Sequence, residues 1–206
     1  VANLITWDFF RAYVGETRLS STAEPKSHVE LAIATASRLV EDYLGRPVIV
    51  SQRTELYDVA DLQASVLLRA YPVTAIASIH NDPAQSWVTS ALVPASDYSL
   101  RSEIGRVAFD YPLIEGKDAL RVVYSAGLVP DRNTLLATSG GELTSPYGFV
   151  ANAVAQQTQY MLARRESLGS VAQNTGRGRS AWSGPAGLLE IVKLALDPIR
   201  SRRITG

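Results

Sequence analysis

Residues 27–48 read SHVELAIATASRLVEDYLGRPV, a helix with its own stop signal. Val29, Ile33, Ala36, Val40 and Tyr43 or Leu44 recur at helical spacing and make one apolar stripe. Ser27 with Glu30 three positions later has the form of a capping box, in which the hydroxyl takes an orphan N–H and the carboxylate reaches back. Gly45 suits the left-handed position just past the last turn, and Pro47 forbids continuation. The spacing predicts a helix over 27–44, roughly 26 Å long at 1.5 Å per residue.

Ahead of this helix, LITWDFFRAYV (4–14) suits a helix or an edge strand, and the turn formers GETRLSSTAEPK (15–26) follow it. Behind it the pattern turns to β. PVIVSQRTELYDV (47–59), ASVLLRA (64–70) and VTAIASIHN (73–81) are strand-like runs, with Tyr71-Pro72 between the last two. WVTSALV (87–93) suits a further short strand, and DYSLRSEIGRVAFD (97–110) suits two strands around Ser102–Gly105. DALRVVYSAGL (118–128) is the last, with Val122 and Tyr124 on one face and Arg121 and Val123 on the other. Short strands at such close spacing predict an antiparallel sheet or small sandwich rather than β-α-β crossovers.

Residues 129–146 form a long connection whose most flexible point is the SGG at 139–141. Ser145 as cap and Pro146 in the first turn open a helix over 146–165, with Val150, Val154 and Met161 near one face. The Gly/Ser-rich stretch 166–187 has the composition of an extended arm. AGLLEIVKLALD (186–197) is a last helix, with Leu188, Ile191, Val192 and Ala195 on one side. Pro198 ends or kinks it, and IRSRRITG is a basic tail. The fold class is therefore α+β: helical bundle elements packed with a small antiparallel sheet or sandwich, then an extended C-terminal arm and helix. The division expected is a core over 1–165 and an appendage over 166–206.

Composition narrows the function classes. Of 206 residues 46% are hydrophobic and 19% charged, which is ordinary for a globular chain. There is no cysteine, which excludes disulfide scaffolds and thiolate metal sites. No apolar run approaches a membrane span, and VANLITWDFF lacks the features of a secretory signal. Charge is zero overall but uneven: residues 1–150 carry 12 Lys+Arg against 17 Asp+Glu, and 151–206 carry 8 against 3. Such asymmetry marks either a tail that meets an acidic partner or scatter in small counts.

The residues offer no catalytic kit. His28 and His80 lie in different segments without ligand spacing, so surface placement is expected for both. There is no GxSxG elbow, and GRGRSAWSGPAG lacks the lysine of a phosphate loop. Glu41 and Asp42 point about 100° apart on their helix and read as a solvated face. No catalytic residue, metal ligand or cofactor is predicted. Arg177 and Arg179 on the Gly-rich arm suit contact with phosphates or partner carboxylates. Trp182 beside them suits an anchor in an apolar pocket, or a stacking platform for a base.

The order of four pieces carries a resemblance. ATASRLVEDYLGRPV (34–48), LLRAYPVTAIASIHND (67–82), DYSLRSEIGRVAFD (97–110) and LRVVYSAGLVP (120–130) together resemble the head–tail connector (adaptor) proteins of long-tailed bacteriophages, over about residues 30–165. The resemblance implies a non-enzymatic virion protein at the head–tail junction, present in the host cytoplasm during assembly. Its copies would form a ring, typically of twelve, beneath the portal protein. The ring would offer a surface to the next neck or tail-completion protein, with packaged DNA in the channel and no membrane involved. Portal docking would fall to the C-terminal segment, through Trp182, Leu188, Ile191, Val192, Arg200, Arg202 and Arg203. Deleting residues 176–206 would then leave the core folded and abolish attachment. The alternatives are a stopper or other tail-side neck component and, further off, a small phage-borne hydrolase.

Overall fold

The computed structural model describes residues 3–15, 26–139, 141–171 and 187–200. The chain makes two compact units, one from the segments up to Gly45 and from Asp131 onward, the other from Arg46 to Pro130. The fold is α+β, as the sequence predicts.

The first unit is helical. It holds α1 (Trp7–Val14), α2 (Lys26–Leu44), the single-turn α3 (Arg132–Leu135), α4 (Gly148–Val171) and α5 (Glu190–Leu196), with a two-residue hairpin of β7 (Thr138–Ser139) and β8 (Glu142–Leu143). The stripe of α2 is buried as its spacing requires: Val29, Ile33, Ala36, Val40 and Leu44 are all inside. Gly45 stops the helix at φ +68°, and its N–H closes on the Glu41 carbonyl at 2.9 Å. The helix begins at Lys26, which puts Ser27 inside the first turn rather than at the cap; Glu30 pairs with Lys26 at 3.7 Å. The segment 4–14 resolves as a helix, capped by the Thr6 hydroxyl, which accepts from Phe9 N–H. Leu4 and Ile5 are buried ahead of it, and Ser37 of α2 accepts from Leu4 N–H at 3.1 Å.

Helix α4 packs against α1, α2 and α5. It is buried on several sides, with Val150, Ala151, Val154, Ala155, Gln157 and Thr158 all inside. Its many alanines suit close approach by neighbours on more than one face. It begins at Gly148, later than Pro146, and runs to Val171, past the predicted end. Glu166 and Leu168 are good helix formers, and their propensity carries the helix into what composition marks as an arm. The connection 129–146 is more ordered than its Gly/Ser content suggests. Asp131 caps α3 by accepting from Thr134 N–H at 2.7 Å.

The second unit is a small sandwich. Strands β1 (Ser51–Val59), β3 (Val73–Asn81) and β6 (Gly116–Ala126) form one antiparallel sheet in the order β1-β6-β3. Strands β2 (Ser65–Leu67), β4 (Tyr98–Arg101) and β5 (Arg106–Phe109) form the other, in the order β2-β5-β4. One core cluster joins both sheets, with Val66, Val107 and Phe109 from one and Ile79, Leu120, Val122 and Tyr124 from the other. Tyr124 is fully buried, and its hydroxyl accepts from Ala70 N–H at 3.0 Å, so the one polar atom of that ring is satisfied. Gly105 turns β4 into β5 at φ +66°.

The run 87–93 is not a strand. Thr89–Ala91 is a single 3-10 turn, and only Leu92 and Val93 touch the edge of β3. The cause lies just upstream. Gln85 and Trp87 both take positive φ, and the Asp82 carboxylate gathers the loop's N–H groups, which turns the chain away from an extended path.

Candidate assembly interfaces

The C-terminal helix is where the sequence places docking residues. The apolar face of α5 is covered within this chain: Leu188, Val192 and Leu196 are buried, against α4 among others. Gln157, buried in the middle of α4, holds the start of α5 with both ends of its amide. Its Oε1 accepts from Leu189 N–H at 2.9 Å, and its Nε2 donates to the Gly187 carbonyl at 3.4 Å. At the other end the Tyr43 hydroxyl donates to Asp197 Oδ1 at 2.6 Å, and the Arg200 guanidinium lies 4.5 Å over the Tyr43 ring. That bond to Asp197 is the main reason the Tyr43 hydroxyl titrates above its ordinary range.

What α5 offers outward is different. Ile191 is 61% exposed and Leu194 is 65% exposed, three residues apart on one helical face. Of the predicted docking residues, Ile191 is therefore on the surface, Arg200 stacks on Tyr43, and Leu188 and Val192 seat the helix. Trp182, Arg202, Arg203, Arg177 and Arg179 lie outside the described residues. Leu194 was legible from the same three-residue spacing, whereas Gln157 gave no signal and Tyr43 only that of an apolar stripe.

The sheet unit presents a second surface. The register sets Gln52, Thr54 and Leu56 of β1 opposite Ser125, Val123 and Arg121 of β6, and these share a face with Ala75, Ser78 and His80 of β3. Along β1 this face is exposed, Leu56 included. Arg121 stacks on the Trp87 ring at 4.9 Å. His80 sits directly opposite Arg121 and is buried, which corrects its expected surface placement. Desolvation, and then the neighbouring guanidinium, hold its imidazole below the ordinary histidine range. The opposite face of β1 looks toward the core. There Tyr57 donates to Glu55, and Arg69 N–H donates to Glu55 Oε2 at 3.2 Å. Burial foremost pushes the Tyr57 hydroxyl well above its usual range.

The loop that shapes the rim of this face depends on one carboxylate. Asp82 accepts from Ala84 N–H at 2.9 Å, Ser86 N–H at 2.9 Å, Ser86 Oγ–H at 2.7 Å and Trp87 N–H at 2.8 Å. The Ser86 hydroxyl foremost, with the three backbone donors, holds its pKa below the ordinary carboxylate value. A depressed carboxylate pKa stabilises the fold above the unfolded value, and that contribution disappears as pH falls through the folded one. We expect Asp82→Ala to release Trp87 from Arg121 at neutral pH, seen as a red shift and loss of intensity in Trp87 fluorescence. The unmodified protein should show the same change only below about pH 4. An unchanged spectrum in Asp82→Ala would remove the carboxylate from this role.

A family model described as Head completion protein (HCP) matches residues 3–138. Solved structures share the fold at low identity. A chain from the neck of an empty gene transfer agent (GTA) particle computed with C6 symmetry superposes with a TM-score of 0.54 at 13% identity, over 89% of this chain and 83% of that one. A chain from the virion of a native GTA particle gives 0.54 at 14%, over 90% and 82%. One from the neck of a native GTA particle computed with C12 symmetry gives 0.51 at 16%, over 100% and 97%. No curated protein sequence matches.

Proposed function

The chain belongs to the head completion protein family, and from that premise we propose that it is a structural subunit of the neck between capsid and tail of a phage-like particle. Its copies form a ring beneath the portal, the ring hands on to the next neck or tail-completion protein, and DNA passes through its channel. The observation that carries this reading is the family match, which spans α1, α2 and the whole sheet unit. The neck and virion origin of the structural neighbours supports the location, and the twelve-fold symmetry of one of them supports the copy number. The role is assembly, and no enzymatic step is assigned to any residue.

Docking on the portal falls to the outer face of α5, with Ile191 and Leu194 as apolar contacts and Arg200 at the end of the helix. Trp182, Arg202 and Arg203 serve as further portal contacts in this reading, and Arg177 and Arg179 as contacts to DNA or partner carboxylates. Leu188 and Val192 serve by fixing the helix in place. Burying two exposed aliphatic side chains contributes about 1.5–3 kcal/mol each. Ile191→Asp with Leu194→Asp should therefore weaken co-sedimentation with purified portal rings by a hundredfold or more, on the order of 3 kcal/mol. The circular dichroism spectrum should not change, since neither side chain is in the core. Undiminished portal binding by the double variant would move docking to another surface.

A further inference from the structure

We propose that the free edge of β1 pairs with β1 of a second copy, antiparallel about a two-fold axis at Thr54, joining two sheets into one in the order β3-β6-β1-β1-β6-β3. The two edges of this sheet are built differently. The register of β3 shifts between Val73 and Ala75 and again between Ile76 and Ser78, and Leu92 and Val93 cover its end at His80 and Ile79. Bulges and cover of this kind blunt an edge against further pairing. The register of β1 runs unbroken from Ser51 to Tyr57. Its outward main-chain groups over that run have no hydrogen-bond partner among the described residues. Residues 51–54 are exposed on both faces of the strand, so nothing described shields the edge from above or below.

The side chains name the occupant. Strand pairing about Thr54 sets Arg53 opposite Glu55 of the other copy, and Glu55 opposite its Arg53, with Thr54 facing Thr54 and Gln52 facing Leu56. Opposite charges and paired threonines across antiparallel strands are favourable, and like charges are not. The neighbouring registers that keep each face on its own side fail on this count: centring on Arg53 sets arginine against arginine, and centring on Glu55 sets glutamate against glutamate. Glu55 is already oriented, because Tyr57 and Arg69 N–H both bond its Oε2. A strand with one arginine against Glu55 and Asp58 does not suit nucleic acid. A two-fold contact is isologous and cannot be the lateral contact of a cyclic ring. It is a property of the free chain, and it stands or falls separately from the neck reading.

Sedimentation equilibrium of the full chain tests it. The unmodified protein should show a concentration-dependent dimer. Arg53→Glu alone and Glu55→Arg alone should each weaken it roughly tenfold or more, and an equal mixture of the two should recover it, because glutamates then face arginines at both pairs. Should Glu55→Arg not fold, Thr54→Cys in this cysteine-free chain decides the matter. Under a mild added oxidant it should cross-link to a dimer, while Gln52→Cys, which faces Leu56, should not. A protein monomeric at every concentration would overturn the proposal. So would a dimer indifferent to Arg53→Glu, or a Thr54→Cys variant that stays uncross-linked.

Discussion

Gly127→Ala should cost the sheet unit about 3 kcal/mol or more, at the upper end of what overpacking does. A Cβ on Gly127 would sit 2.5 Å from Val50 N, 2.6 Å from Ile49 C and 2.6 Å from Val50 Cα. These are backbone atoms with no rotamer by which to move aside. They are also held in place. Gly127 N–H donates to the Pro72 carbonyl at 3.0 Å, the next two N–H groups both donate to Val48 at 2.9 Å, and Val50 N–H donates to Val129 at 2.8 Å. The exit of β6 and the entry to β1 thus cross at one point, and glycine is there for closeness rather than for a special φ. Urea denaturation should show the loss as a lower midpoint. Gly187→Ala is the matched control, since a Cβ there meets nothing within 4 Å, and it should stay within about 0.5 kcal/mol of the unmodified protein. Equal stability of the two variants would contradict this crossing.

The second large effect belongs to α5. Leu196 is fully buried at the end of that helix, and Leu196→Ala should cost about 2–5 kcal/mol of the helical unit's stability. Gln157→Leu keeps the volume but leaves Leu189 N–H without its acceptor, which costs about 1–3 kcal/mol. Both variants should speed trypsin cleavage after Lys193 and Arg200. Deleting residues 176–206 has the same consequence on a larger scale. It removes Leu188, Val192 and Leu196 together and opens their seat, so the truncated chain should lose stability as well as any docking surface. Loss of portal attachment in that deletion would therefore not isolate docking, and the Ile191 and Leu194 substitutions are the cleaner probe. Unchanged proteolysis of Leu196→Ala would show that α5 is not anchored by its apolar face.

How much was legible in the sequence follows from what each residue depends on. Helix α2 was legible apart from its first turn, because its stripe, Gly45 and Pro47 are local signals that tertiary packing only has to accept. Strand β6 was legible down to its faces, because Val122 and Tyr124 alternate with Arg121 and Val123 over a long run. The polar character of β1 in both parities, SQRTELYD, was an available sign of an edge strand. The run 87–93 misled because its apolar content describes burial, whereas its path is set by a carboxylate five residues upstream, at Asp82. His80 misled for a similar reason: burial at a strand end depends on Leu92 returning to the edge. Gln157 was invisible, since an amide in a helix looks like surface until the chain it caps is in place. The assembly role was legible only through the order of four short pieces.

The measurement that tests the neck assignment most directly is electron cryomicroscopy of the particle neck, reconstructed without imposed symmetry and with this chain identified by a bound antibody fragment. A ring of this chain, twelve copies, is expected directly beneath the portal, with the outer face of α5 turned to it. Label along the tail, at its tip, or absent from the particle would contradict it.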